Sequence, residues 1–375
     1  MYFNVRSLCS AVKATFSWRH FHPVHAGFVV VLLTLFFVLR TVVQVMRWCD
    51  WLIYPRFRQV RIKAPIYILG NPRSGTTYLH RLMALDQQFT STKLYQTIFP
   101  AVVFYKMIVG LQRLDRYLGY PLGRLVSWLD RTGFRGWQGI HNTQLGQAEE
   151  DEQLFVYAAL SPVMFLLFPF PEALESASFV DRLPRKVRQR LMAYYQDCLQ
   201  RHLYAEGIDK TLLTKNTTMA GRLQATRELL PDLRVIHLVR HTYDAIPSFL
   251  SMNRAAWHHF VPQTKRNHDS SRAVARVYCN YFRRYWEFRE NLPANQAIEV
   301  RYEDLIDDPK GTIERIYATL GLTMTETYAQ TLAKTVVQTK QYQSAHRYSL
   351  EEFGLSKQDI YAELSDMFEA CGFSP

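Results

Sequence analysis

The sequence predicts an α/β fold: a parallel sheet with helices on both faces, preceded by one long apolar helix. Three observations carry that expectation. From Pro65 onward, short β-rich runs alternate with helical ones, which is how crossover-connected parallel strands read. The first of those strands opens into a glycine-bearing turn and then a helix, the layout of a phosphate-cradling loop. Upstream, Ala26 to Met46 form an apolar run with a single charge, Arg40.

Composition narrows the class. A chain of 375 residues with 48% hydrophobic residues buries a large core. No repeat, low-complexity tract or proline-rich linker marks a second globular domain. The net charge of +12 favours acidic partners: phosphorylated small molecules, anionic lipid surfaces or nucleic acid. The 5 cysteines are scattered, odd in number and without a CxxC pair. That argues against a zinc site or disulfide framework and fits a reducing compartment. No HExxH is present, and no metal site is expected.

Taken in order, residues 1–25 read as a basic N-terminal segment and 26–54 as a membrane-spanning or membrane-embedded helix, with 55–375 the catalytic domain. At 1.5 Å per residue the apolar run reaches about 31 Å, the hydrocarbon thickness of a bilayer. Arg40 lies where it can snorkel toward headgroups, and Trp48, Trp51 and Tyr54 follow at an interface position. A true span, a helix lying in one leaflet and a buried core helix all remain open. A cleaved signal peptide is disfavoured because the run starts late and lacks a small-residue cleavage site. The heavier basic flank follows the run (Arg47, Arg56, Arg58, Arg61, Lys63), so the catalytic part is expected to face the cytoplasm.

Next come "APIYILG" as a strand and "TTYLHRLMALD" as a helix. The amphipathic "FYKMIVGLQRLDRYLG" packs on the core or touches the membrane, core packing being favoured. A helix follows Pro184, then "TLLTKN" as a strand, "AGRLQATRELLPD" as a helix and "RVIHLVR" as a strand. "SSRAVARVYCNYFRRYWEFRENL" is a long helix, "AIEVRYEDL" a strand and "DPKGTIERIYATLGL" a helix.

The loop after the first strand carries the chemistry. Gly70-x4-Gly75 fits the common nucleoside-triphosphate loop, yet Thr76 stands in the lysine position and Arg73 sits inside the turn. Amides from Ser74 to Thr77, opening onto a helix N-terminus, concentrate partial positive charge on an anion, and the hydroxyls of Ser74, Thr76 and Thr77 add donors. Triphosphate enzymes pair the lysine with a strand-end acid that holds Mg²⁺. Here "RVIHLVR" ends in Arg240 instead. Such a site suits a ligand whose negative charge is balanced by arginine without a metal, for instance a nucleotide with a 5′ phosphosulfate and a separate 3′ phosphate.

With these residues the sequence resembles the P-loop sulfotransferases that use 3′-phosphoadenylyl sulfate (PAPS), and among them the bacterial-type branch whose loop reads PRSGTT, here Pro72 to Thr77. "LLTKN", "LLPDLRVIHLVRHTYDAIPSFL" and "VRYEDLIDDPKGTIERIYATLGL" resemble further family stretches in the same order, and "HRYSLEEFGL" one more. The resemblance covers Ala64 to Pro375. It implies a P-loop sulfotransferase-like fold with Arg73, Ser74, Gly75, Thr76 and Thr77 on the 5′ phosphosulfate. Arg240 and Ser248 would take the 3′ phosphate, giving two separated cationic pockets. Arg73 would steady charge on the leaving phosphate, with Lys215 as support. Cytosolic relatives carry lysine at the Arg73 position.

Sulfuryl transfer also needs a base for the acceptor hydroxyl. "GQAEEDEQLF" places Glu149, Glu150, Asp151 and Glu152 ahead of an apolar stretch; mutual repulsion and burial would raise a pKa there. The alternative is a helix N-terminus whose acids complement the dipole. The branch resembles this run and favours Glu150, then Asp151; His141 competes, since cytosolic relatives use a histidine. Arg272, Arg276 and Arg283 line one helix face, but base-reading modules are absent and nucleic acid is not expected.

The sequence thus reads as a membrane-associated, metal-independent PAPS sulfotransferase. Its acceptor is a hydroxyl of an unidentified compound, lipids and glycolipids included, and its oligomeric state is open. A small-molecule kinase with a degenerate loop, or a catalytically silent protein binding nucleotide or anionic lipid at a membrane, are the competing classes.

Overall fold

The computed structural model describes residues 1–18, 20–71, 73–121, 123, 147–260, 268–339 and 348–375. Five parallel strands form the sheet, in the order β2-β3-β1-β4-β5: β1 Ile66–Gly70, β2 Phe89–Thr90, β3 Thr211–Lys215, β4 Arg234–Val239 and β5 Ala297–Arg301. Strand β1 is buried throughout, because helices cover both faces and leave no solvent side on which polar residues could alternate. Its register sets Ile68 beside Lys215 of β3 and Gly70 beside Leu238 of β4.

The helices named below are α1 Val5–Thr15, α2 Pro23–Ile53, α3 Thr76–Met83, α4 Leu94–Ile98, α5 Val102–Tyr117, α6 Arg185–Glu206, α7 Leu223–Leu229, α8 Thr242–Phe260, α9 His268–Arg289, α10 Pro309–Thr319, α11 Glu326–Thr339 and α12 Lys357–Cys371. One apolar cluster, with Leu79, Leu213, Ile236 and Ile313, packs α3 and α10 on one face of the sheet. Another, with Tyr67, Tyr195, Leu199 and Val235, packs α6 and α9 on the other.

One reading needs correction. "AIEVRYEDL" is not one strand: β5 ends at Arg301 and a helix runs from Tyr302–Asp307. Glu303 and Asp304 fall in its first turn, where acids suit the helix dipole. Residues 1–53 pack against the body. Asn4 N–H bonds Ala158 O at 2.9 Å, and α2 lies along the α/β domain with Val29, Val43, Arg47 and Asp50 buried. Helix α5, expected mainly to pack on the core, buries Val102, Tyr105 and Asp115 and leaves much of its apolar surface exposed.

The chain passes from β1 out to β2, returns to β3, and crosses over β1 to β4. Ligands of open α/β sheets bind at such a reversal, outside the carboxyl ends of the strands. The ends of β1, β3 and β4 therefore mark the place to look.

Candidate active site

The loop between β1 and α3 is the first component. Arg73 adopts φ 72°, a left-handed conformation that costs a non-glycine residue on the order of 1–3 kcal/mol and turns successive amides to one side. Gly75 (φ 85°) caps α3; a Cβ there would sit 2.8 Å from the Tyr302 ring, so only glycine fits. Tyr302 also lies under Arg240, whose guanidinium is 4.6 Å from the ring centre and donates to the Arg73 carbonyl at 2.8 Å. Arg240, immediately past β4, thus braces the strained turn from outside.

The loop's side chains sort into two groups. Arg73 Nε donates to Ser248 Oγ at 3.1 Å. The residue expected at the sulfuryl end thereby touches one expected at the 3′ phosphate. Thr77, at the other end, accepts from Lys215 Nζ at 3.0 Å. In triphosphate enzymes the hydroxyl at this loop position faces Mg²⁺; here it faces an ammonium delivered by the end of β3. Lys215, expected as support, lies between Thr77 and Glu150.

Lys215 is buried and also pairs with Glu150, Nζ to Oε1 3.1 Å. Thr217 Oγ1 donates to Glu150 Oε2 at 3.4 Å, and the Glu150 side chain is 19% exposed. Glu150 arrives there because the backbone at 147–149 pairs with the segment after β2: Leu94 N–H to Gln147 O at 3.3 Å and Glu149 N–H to Thr92 O at 2.9 Å.

One acid of the run, Asp151, is buried and raised, as the sequence suggested, with burial the main cause and the neighbouring Glu152 adding to it. The fold sends the three that follow Glu149 to different partners. Glu150 meets Lys215. Asp151 turns inward, accepting from Asn216 Nδ2 at 2.7 Å and from the Tyr195 hydroxyl, which in turn lies 3.1 Å from the Tyr67 hydroxyl. Burial pushes its carboxyl up to about 6, against the pull of those hydrogen bonds. Glu152 forms a bidentate pair with Arg222, both bonds 3.0 Å and both side chains fully buried. Only Glu150 combines a carboxylate with solvent access and the loop. Asp151 instead fixes Asn216, and with it the end of β3 that presents Lys215. Tyr195, Asn216 and Thr217 were missed as site residues: their partners lie far off in sequence, though Asn216 closes the "LLTKN" stretch.

Several atoms around the loop fit a polyanion. Ser74 Oγ and Asn71 Nδ2 are buried beside the Tyr278 hydroxyl, yet none of the three makes a well-formed hydrogen bond. Such orphaned donors suit added acceptors. His80, one turn into α3, is pushed down to about 3 by burial and the neighbouring Lys215, and stays neutral. Among the described residues no cluster of histidine, cysteine or acid side chains has metal-site geometry. His141, the competing base, lies outside the described residues, as does Pro72 of the loop. On α9, Arg272 donates to Gly354 O and Arg283 to Glu363 O, which ties those arginines to the C-terminal segment.

Comparison with known proteins bears on the family and the fold. The model of the group described as "Sulfotransferase family" matches residues 65–326. The omega-hydroxy-beta-dihydromenaquinone-9 sulfotransferase Stf3 of Mycobacterium bovis is 28% identical over 270 residues, covering 70% of this chain and 64% of that protein. Its Mycobacterium tuberculosis counterpart matches to the same extent. The match thus spans under two thirds of these relatives. The crystal structure of sulfotransferase STF1 from Mycobacterium tuberculosis H37Rv aligns with TM-score 0.75 at 21% identity, covering 96% of this chain and 91% of the other. That of STF9 from Mycobacterium avium aligns with TM-score 0.69 at 16% identity, covering 88% and 82%. At these identities the structural likeness speaks for the fold.

Proposed function

This chain belongs to the sulfotransferase family, and from that premise we propose that it moves a sulfuryl group from PAPS to a hydroxyl of a lipid-like acceptor at a membrane. The observation that carries the reading is the convergence of Thr77, Lys215 and Glu150 within hydrogen-bond reach at the mouth of the loop. PAPS supplies the activated sulfuryl group and, after transfer, a bisphosphorylated adenosine as leaving group. The amides and hydroxyls of Ser74 to Thr77 hold the 5′ end. Arg73, Arg240 and Ser248 serve the 3′ phosphate and the loop's charge, a guanidinium making a stronger, fork-like pair with phosphate than a neutral donor.

Lys215 and Glu150 divide the chemistry. The ammonium stabilises negative charge developing beside Thr77. Glu150 accepts the proton of the acceptor hydroxyl on its partly exposed carboxylate. In the free protein the two groups are paired, Lys215 Nζ lying 3.1 Å from Glu150 Oε1. This arrangement disfavours the kinase reading, because Thr77 already faces an ammonium and β4 ends at Arg240 instead of an acid.

The acceptor class rests on two supports: the hydroxylated menaquinone derivative in the name of the Stf3 relatives, and the long apolar helix α2. The test is to incubate sulfur-labelled PAPS with membranes carrying the protein and identify the labelled product by mass spectrometry. A sulfated apolar alcohol supports the reading. Label confined to water-soluble products rejects the acceptor class, and absence of transfer rejects the activity.

A further inference from the structure

We propose that α2 docks this protein on an anionic bilayer by lying in the plane of one leaflet, without crossing the membrane; the inference rests on the membrane part of the reading above. The helix is long and apolar enough to cross, but one of its faces is committed elsewhere. His25, Val29, Val43, Arg47 and Asp50 are buried, and Leu33, Phe36 and Leu39 pack between them at steps of three and four residues. That stripe runs about 38 Å along the axis.

Polar contacts fasten the stripe to the body from end to end. His25 Nε2 lies 3.0 Å from Leu167 O. Arg40 donates to the carbonyls of Tyr157 and Met1. Arg47 donates to Pro100 O at 3.1 Å and pairs with Asp197. Asp50 takes Arg201 Nε at 2.7 Å and also the Val102 and Val103 amides, 2.9 and 2.7 Å, at the start of α5. Crossing a bilayer would drag this polar body into hydrocarbon, or peel it away and leave Arg40, Arg47 and Asp50 with their partners gone.

The opposite face of α2 is bare. Val31, Leu35, Val38, Val42, Val45 and Leu52 form a second stripe, 42% to 84% exposed. Trp48 and Trp51 stand at its C-terminal end, 60% and 55% exposed, where indoles favour the headgroup level. Helix α5 adds an exposed stripe of its own: Met107, Leu111, Leu114 and Leu118. Charge selects the occupant. Within residues 23–63 and 102–121 the acids are Asp50 and Asp115, and both are buried. Exposed charge there is cationic, including Arg56, Arg58, Lys106 and Arg113. An apolar face with a purely basic rim complements anionic lipid and repels a second copy of itself.

The experiment uses the full chain with vesicles of phosphatidylethanolamine and phosphatidylglycerol, and with phosphatidylcholine vesicles as the neutral control. In a chain with Cys9→Ser and Cys49→Ser, because Cys9 is exposed and Cys49 half-buried, cysteines introduced singly as Phe21→Cys and Arg56→Cys report which side each end of α2 occupies, through a maleimide that does not cross bilayers. The expected result has three parts: both ends label from the same side, phosphatidylglycerol binding weakens with salt, and Val31→Asp/Leu35→Asp/Val38→Asp lowers it at least tenfold. That variant should keep its melting temperature and its turnover of a water-soluble alcohol. Ends labelled from opposite sides would overturn the in-plane arrangement while leaving membrane association standing. Binding to neither vesicle, or a dimer dissolved by the aspartates, would overturn both; sulfuryl transfer, measured separately, stands or falls on its own.

Discussion

Glu150→Gln separates chemistry from binding at this site. Glutamine keeps the size of the side chain and an oxygen for Lys215, which lies 3.1 Å from Oε1, but it cannot take a proton. A positioned general base contributes about 10²–10⁴-fold to rate, or roughly 3–5 kcal/mol at 1.36 kcal/mol per decade. The expected outcome is a fall in kcat of that size. Donor affinity should hold or tighten, because a negative charge leaves the neighbourhood of a bound anion. Lys215→Met should lower both kcat and donor affinity. The double variant should lose little more than the worse single one, since the two residues act as a unit. Steady-state release of adenosine 3′,5′-bisphosphate gives kcat, and calorimetry with the same nucleotide gives affinity. The acid limb of the kcat/KM profile should vanish with Glu150. A loss in kcat below about tenfold, or an acid limb that survives, would refute the base assignment and move it to His141.

Arg240→Ala and Ser248→Ala test the nucleotide's far end. Arg240→Ala should weaken adenosine 3′,5′-bisphosphate by about 10- to 100-fold, the loss of a hydrogen bond to a charged group, with a smaller effect on adenosine 5′-phosphate; equal losses would remove Arg240 from the 3′ phosphate. Arg222→Met strands Glu152 as a fully buried lone carboxylate and should cost about 3–5 kcal/mol in urea unfolding, a cost that Glu152→Gln in the same chain should partly restore; an unchanged midpoint would contradict the pair's burial. Asp151 sets a pH window. Its folded pKa is raised to about 6 from 3.8, so its relative stabilisation is full below about 3.8 and is lost as pH rises through about 6. The stability gap between wild type and Asp151→Asn should therefore shrink by about 2 kcal/mol from pH 4 to 7, and a gap that is flat with pH would show that Asp151 ionises as freely as in water.

What could be read in advance was local. Gly70, Arg73 and Gly75 announce a turn because backbone conformation is set by near neighbours, and the strand at Ile66–Gly70 is a continuous apolar run, as a doubly covered sheet requires. Partners far apart in the chain were not legible. Lys215 and Thr77 are separated by 138 positions, Arg73 and Ser248 by 175. Nothing in either stretch tells a lysine on a strand to replace the missing loop lysine from the neighbouring strand. The acidic run shows the same limit: as a sequence it is one block of charge, and tertiary packing divides it among an ammonium, a tyrosine–asparagine pair and a guanidinium. Tyr302 gives the converse case. It continues a β-like run, yet the chain turns there because its ring is needed beneath Gly75 and Arg240. Placing an aromatic under the loop lets a left-handed arginine persist, so the strand's early end and the strained turn are one feature, and weakening the ring's contact with Arg240 should loosen the loop that holds the anion.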